Sequence, residues 1–202
     1  MLTFSFYCVY LYIVEECMLF LLSLLACDQP IVNDSSNSNV IVQEIEKCMH
    51  IKDHRPCDFE SFNSDGVNTN LYDLEGSPFI LDISAAWCAP CRMAAQEVQE
   101  VQDYYSEYDL KYLTLLFEDT SGNPPDVQDL KNWKVQNEIT SAPVWGGSRE
   151  LLVRDVIDTE EGFYMTALPT FYFINEDMRI VSMQEGFSSE IIEQHIEEML
   201  NE

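Results

Sequence analysis

The chain has 202 residues, with ten Lys and Arg against 36 Asp and Glu and a formal net charge of −26. That balance argues against a nucleic-acid binder, which needs clustered Lys and Arg to neutralise phosphates, and against electrostatic docking on an anionic membrane. A hydrophobic fraction of 47% with 12% aromatic residues argues against global disorder and suits one globular domain plus extensions.

Residues 1–26 are almost wholly apolar and contain no Lys or Arg; the first basic residue is Lys47. Glu15 and Glu16 divide the stretch into halves that are each shorter than the roughly 20 apolar residues needed to span a bilayer. Leu24-Leu25-Ala26-Cys27 resembles the end of a bacterial lipoprotein signal, where the cysteine is lipidated and becomes the N-terminus. The positive charge that normally precedes such an apolar run is missing, which a misassigned start would explain. An uncleaved anchor and a buried apolar segment are the alternatives. Export is expected, with 1–27 as signal peptide, lipobox or membrane anchor and Cys27 as the lipidation site. Residues 28–39 are polar and rich in Asn, Asp and Ser, so 28–57 reads as a flexible tether and N-terminal extension before a globular domain over 58–202.

Within that domain, strand-like and helix-like segments alternate. Turn residues Asp65-Gly66 and Glu75-Gly76 punctuate the lead-in. Residues 79–85 are a short, mostly apolar run of the kind found in strands buried on both faces. Ala94, Val98, Val101 and Tyr105 follow at helical spacing, and 112–117 is a second buried strand. Pro124 and Pro125 precede a helical stretch through Val127, Leu130 and Trp133, proline being well placed at a first turn. Residues 142–167 carry no clear period. A hairpin is predicted from 170–174 and 178–183 around Asn175-Glu176-Asp177, and Ser188 or Ser189 is expected to cap a last helix. The order β, α, β, α, hairpin, α implies an α/β fold with a central mixed sheet and helices on both faces. Met93, Phe171 and Phe173 fall at core spacing, and His195 reads as a half-buried or surface residue rather than a catalyst.

Cys88 and Cys91 stand where the first buried strand gives way to a helix. There the first cysteine lies near unpaired helix N–H groups and the positive end of the macrodipole, which favours its thiolate. The second lies one turn along and can close a disulfide with it, and Pro90 presets φ early in the helix. Such a pair can attack a disulfide through Cys88 and resolve the mixed disulfide through Cys91. A static disulfide or half a zinc site is the alternative, but no second C-x-x-C completes a four-thiolate site. Asp82, in the middle of the apolar strand, is expensive to bury unless it is protonated, paired or used.

The segment Ile83-Ser-Ala-Ala-Trp-Cys-Ala-Pro-Cys-Arg92, the Ala167-Leu168-Pro169-Thr170 loop and Gly186-Phe187 together resemble the thioredoxin superfamily. The lead-in from Asp65 to Phe79 is similar to the exported TlpA/ResA-like, redoxin-type branch, and the likeness covers 58–202. The resemblance implies a thioredoxin fold and assigns Cys88, Cys91, Asp82 and Pro169 as catalytic residues. It implies that Pro169 is a cis-proline packed against the cysteine pair, and that Trp87, Ala89, Pro90 and Leu168 bind substrate, with the Leu168 backbone pairing to it. Asp82 would assist proton transfer at Cys91. Gln96 stands where thioredoxins have a helix-kinking proline, and Ala94 where several ResA-like proteins have a glutamate. The 81 positions from Cys88 to Pro169 imply an insertion between Glu118 and Met165. No Thr-x-x-Cys precedes the helix, so a peroxiredoxin site is not expected.

Cys48, His50, His54 and Cys57 could ligate zinc or copper, but an oxidising compartment favours a structural disulfide between Cys48 and Cys57 and no bound metal. Cys8 and Cys17 would leave with the leader. The expected activity is that of a thiol–disulfide oxidoreductase in the periplasm or cell envelope, tethered to the membrane by lipid or by the N-terminal segment. No cofactor is expected. Its partners would be protein thiols or disulfides and an upstream redox protein, with no nucleic acid, and the chain would be a monomer. A copper-handling or metallochaperone-like protein and a redox-inactive envelope interaction domain are the competing readings. The acidic field opposes thiolate formation, so the helix N-terminus and Arg92 must offset it, and it favours neutral or basic partners.

Overall fold

The structure, a computed structural model, describes residues 47–155 and 159–201. The leader, Cys27, the tether and the first part of the extension lie outside the described residues. Among the described residues, no helix is long and apolar enough to cross a membrane.

Glu60–Asn63 (β1) and Asn68–Asn70 (β2) form an antiparallel hairpin. Its turn is set by Asn63, whose side chain accepts from the Asp65 and Val67 amides, and by Gly66 at φ 79°. Phe79–Ala85 (β3) is buried at every residue, and because strand side chains alternate, both faces of the sheet are covered there. Ala89–Ala95 (α1) and Val98–Tyr104 (α2) follow, then Lys111–Glu118 (β4) and Val127–Gln136 (α3). Val144–Gly146 (β5) joins the main sheet, whereas Leu152–Val153 (β6) and Phe163–Tyr164 (β7) form a small parallel pair of their own. Thr170–Ile174 (β8), Ile180–Glu185 (β9) and Ser189–Leu200 (α4) complete the described chain. The main sheet has the order β2-β1-β5-β4-β3-β8-β9. Its centre, β5-β4-β3, is parallel, and the other pairs are antiparallel. This is the expected mixed sheet flanked by helices, with α2 against β4, α3 against β5 and β1, and α4 against β8 and β9.

Three local expectations need correction. The helix after the cysteine pair is two helices. At the break the Gln96 and Glu97 amides bond three residues back, to Met93 and Ala94, before regular bonding resumes from Val101 to Glu97. No proline or glycine marks this point. Pro124 and Pro125 precede α3, and the Asp126 carboxylate caps the helix by accepting from the Gln128 and Asp129 amides, with Asp129 reaching back to the Asp126 amide. Ser188 sits at the N-cap of α4 without a side-chain capping bond, while Ser189 donates to Glu97 instead. Met93 is 59% exposed and packs no core, unlike Phe171 and Phe173, which are fully buried. The unreadable stretch at 142–167 contains β5, where Gly146 is required because any side chain there would collide with the Phe62 ring of β1.

Residues 47–57 are tied onto this body. The Asp53 amide donates to the Ile180 carbonyl and the Ile180 amide to that of His54. The His50 backbone and its Nδ1 both donate to the Thr159 carbonyl, and its ring lies 4.1 Å from that of Phe163. Arg55 makes two hydrogen bonds to Glu75 and covers the Tyr72 ring. A disulfide joins Cys48 to Cys57, with Cα atoms 4.8 Å apart. Closing a loop of this length limits the unfolded chain by about 2–3 kcal/mol. The double variant Cys48→Ser/Cys57→Ser should lose about that much stability in urea denaturation; an unchanged midpoint would mean that the bond braces nothing.

Candidate active site

β3 leads straight into the cysteine pair. Cys88 takes the N-cap position of α1 with φ −74° and ψ 118°, the extended geometry of a capping residue, and its Sγ accepts from the Cys91 amide at 3.2 Å. The site chemistry at the helix start is therefore also its capping chemistry. The second helical position is Pro90, whose missing N–H would have had no partner within the helix anyway. Cys88 and Cys91 are joined by a disulfide, with Cα atoms 5.2 Å apart. Cys88 is 4% exposed and Cys91 is wholly buried, so solvent reaches the pair from the Cys88 side.

The turn before Cys88 is pinned from β4. The Ala86 amide donates to the Glu118 carbonyl at 2.9 Å, and the Trp87 indole donates to the Glu118 carboxylate at 2.6 Å. Arg92 donates back to the Ala86 carbonyl at 3.0 Å. Trp87 keeps 47% of its surface exposed despite this anchor. The Glu118 side chain is only 2% exposed and its other oxygen is paired with Arg149. One buried carboxylate thus links the cysteine turn to the segment between β5 and β6.

The Leu168–Pro169 peptide is cis. Its loop is held from β9: the Glu185 carboxylate accepts from the Thr166 amide and hydroxyl and from the Ala167 amide, and the Gly186 amide donates to the Pro169 carbonyl at 2.8 Å. A groove of about 590 Å³ runs between the two loops. Trp87, Cys88, Ala89 and Pro90 form one wall, and Met165 to Leu168 face them, with Arg149, Leu152, Val153 and Arg154 along the rim. The structure therefore brings together Cys88 and the four residues expected to bind substrate. Cys91 and Asp82 lie behind that surface, and Pro169 itself does not line it.

Asp82 is fully buried in β3, opposite Thr114 of β4 and Phe171 of β8. Ser84, two residues along the same strand and therefore on the same face, donates to Oδ1 at 2.6 Å; Thr114 reaches Oδ2 at 3.5 Å. Burial pushes the Asp82 carboxyl up to about 7, against the two hydrogen bonds, which favour the carboxylate. It can therefore exchange a proton near neutral pH.

Cys48, His50, His54 and Cys57 do not form a ligand cluster. The cysteines are bonded to each other, His50 is turned onto Thr159 and Phe163, and His54 Nδ1 contacts the Lys52 carbonyl. His195 is partly buried with its ring 4.8 Å from that of Phe173. Sequence reasoning overlooked Glu118, Glu185, Arg149 and Arg154. Glu118 carries the same signal as Asp82, a carboxylate attached to a buried apolar run. The arginines give no local signal beyond being basic in an acidic chain.

A family model described as AhpC/TSA matches residues 51–183. A comparison with curated protein sequences gives no match. Among solved structures, a thiol:disulfide interchange protein of the thioredoxin family from Chlorobium tepidum is 19% identical, with a TM-score of 0.58, over 74% of this chain and 98% of that one. A secreted thiol-disulfide isomerase from Corynebacterium glutamicum is 15% identical, with a TM-score of 0.54, over 74% of this chain and 86% of the other. A secreted Mycobacterium tuberculosis disulfide oxidoreductase homologous to E. coli DsbE is 14% identical, with a TM-score of 0.52, over 69% and 94%. At these identities the likeness establishes the thioredoxin fold.

The raised Asp82 value has a consequence for stability. An unfolded aspartate titrates near 3.9, so between about 4 and about 7 the folded chain holds a proton that the unfolded chain has released. Asp82 therefore makes stability fall as pH rises through that window and then level off, by roughly 4 kcal/mol in all. Urea denaturation of wild type and Asp82→Asn at pH 4.5 and pH 8 checks this. The variant should gain on the wild type at the higher pH, and parallel profiles would show that Asp82 does not titrate there.

Proposed function

The chain belongs to the AhpC/TSA family, and on that premise we propose that it is a thiol–disulfide oxidoreductase acting on protein thiols or disulfides outside the cytoplasm. One observation carries the reading. A cysteine at a helix N-cap opens into a groove faced by the loop before a cis-proline, with its partner cysteine buried one turn behind.

In the reducing direction, the Cys88 thiolate attacks one sulfur of a substrate disulfide, the other sulfur leaves as a thiolate and takes up a proton, and a mixed disulfide forms. Cys91 loses its proton and attacks Cys88 Sγ. The substrate departs as a dithiol and the Cys88–Cys91 disulfide remains, so two electrons pass from enzyme to substrate. A redox partner restores the dithiol. The Cys91 amide, which donates to Cys88 Sγ, and the start of α1 would stabilise the Cys88 thiolate. We assign Asp82 as the base for the Cys91 proton, since its raised value suits proton exchange at neutral pH. Trp87, Ala89, Pro90 and Leu168 would bind the substrate chain, and Pro169 would shape that contact.

Action outside the cytoplasm is supported by the Cys48–Cys57 disulfide and by the apolar leader that ends in a lipobox-like Cys27. On this reading 1–27 exports or anchors the protein, 28–57 tethers it, with its last residues braced on the body, and 58–202 carries the activity as a monomer.

Insulin reduction with dithiothreitol as electron source tests the proposal. Wild type should accelerate precipitation of the insulin B chain, and Cys88→Ser should lower the rate to background, a fall of at least about a hundredfold, as expected for removing a nucleophile. A wild type no faster than Cys88→Ser would overturn it.

A further inference from the structure

Acids outnumber bases 36 to ten in this chain, yet the residues lining the groove over Cys88 include two arginines and no acid. Arg149 stands in the one-turn helix Arg149–Leu151, and Arg154 directly follows β6. Arg149 is set in place by its ion pair with the buried Glu118 carboxylate, whose other oxygen holds Trp87. That contact uses only part of a planar group with five donors, and the Arg149 side chain remains 68% exposed. Arg154 is exposed on the same rim. The same lining includes the apolar side chains of Leu152, Val153, Met165 and Leu168.

We propose that this groove selects an extended protein segment that carries a carboxylate beside its reactive cysteine, the carboxylate lying on Arg149 and Arg154 and the neighbouring apolar atoms on the groove walls. The proposal rests on the oxidoreductase reading and names its substrate class. A guanidinium binds a carboxylate through paired hydrogen bonds, which fixes position as well as supplying charge. The surrounding acidic field does not cancel this. At physiological salt it is screened within about 8 Å, so contact with the arginines dominates inside the groove. The same field disfavours acidic partners as whole molecules. The segment selected is therefore one acidic residue in register on a partner that is neutral or basic overall.

Two disulfide peptides that differ only in a Glu or a Lys next to the cysteine test this, with kcat/KM measured for wild type and Arg154→Glu. Wild type should prefer the Glu peptide by roughly tenfold at physiological ionic strength, with the preference shrinking in 0.5 M salt, and Arg154→Glu should favour the Lys peptide. Because Arg154 is exposed, the reversal should leave the circular dichroism spectrum unchanged. Equal turnover of both peptides by wild type, or a Glu preference that survives in Arg154→Glu, overturns the specificity proposal while leaving the oxidoreductase reading intact. If wild type reduces neither peptide nor insulin, the oxidoreductase reading fails first.

Discussion

The burial of β3 on both faces is the constraint on which the rest depends. All seven residues from Phe79 to Ala85 are enclosed, with β4 on one side and β8 on the other. A strand in that position has no freedom of register, since a slip of one residue would exchange the two sets of packed side chains. Its end is therefore a fixed point. The chain leaves it through Ala86 and Trp87 and places Cys88 at the start of α1, where the Cys91 amide donates to its sulfur. The same enclosure leaves Asp82 almost no stabilisation for a charge beyond what Ser84 and Thr114 supply. Position of the Cys88 sulfur and basicity of the Asp82 carboxyl are two results of one packing event.

Two further carboxylates hold the groove from either side. Glu118, at the end of β4, ties down the turn before Cys88 and anchors Arg149. Glu185, in β9, gathers the amides of Thr166 and Ala167 before the cis peptide. Both act as acceptors for N–H groups that would otherwise stand unpaired in loops. The loops that face each other across the groove are thus fixed by central and edge strands rather than by contacts within themselves.

The charge of the chain carries different information at two length scales. Summed over the molecule it is strongly acidic, which concerns solubility and long-range approach. Inside the groove it is reversed by two residues from the stretch between β5 and β7, a part of the sequence with no readable period. Composition counts these arginines but does not place them. Their neighbours in the groove come from the start of α1 and from the loop before β8, and the pairing of β3 with β4 and β8 and of β4 with β5 brings the three together.

Much of the framework was legible in the sequence because its signals are local. The apolar run at 79–85, the two cysteines one helical turn apart behind it, and the aromatic strand after Leu168-Pro169 depend on neighbours a few residues away, where periodicity and turn chemistry act. Even the turns at Asp65-Gly66 and Asn175-Glu176-Asp177 follow from backbone conformations that those residues favour. Tertiary structure alone decided that the helix after the pair breaks at Gln96, that β5 enters the sheet beneath Phe62, and that Met93 faces solvent. It also decided that Glu118 joins Trp87 to Arg149 and that Thr114 stands against Asp82. Each of these joins residues far apart in the chain through strand pairing and burial, and no local pattern of residues encodes which distant segment will arrive.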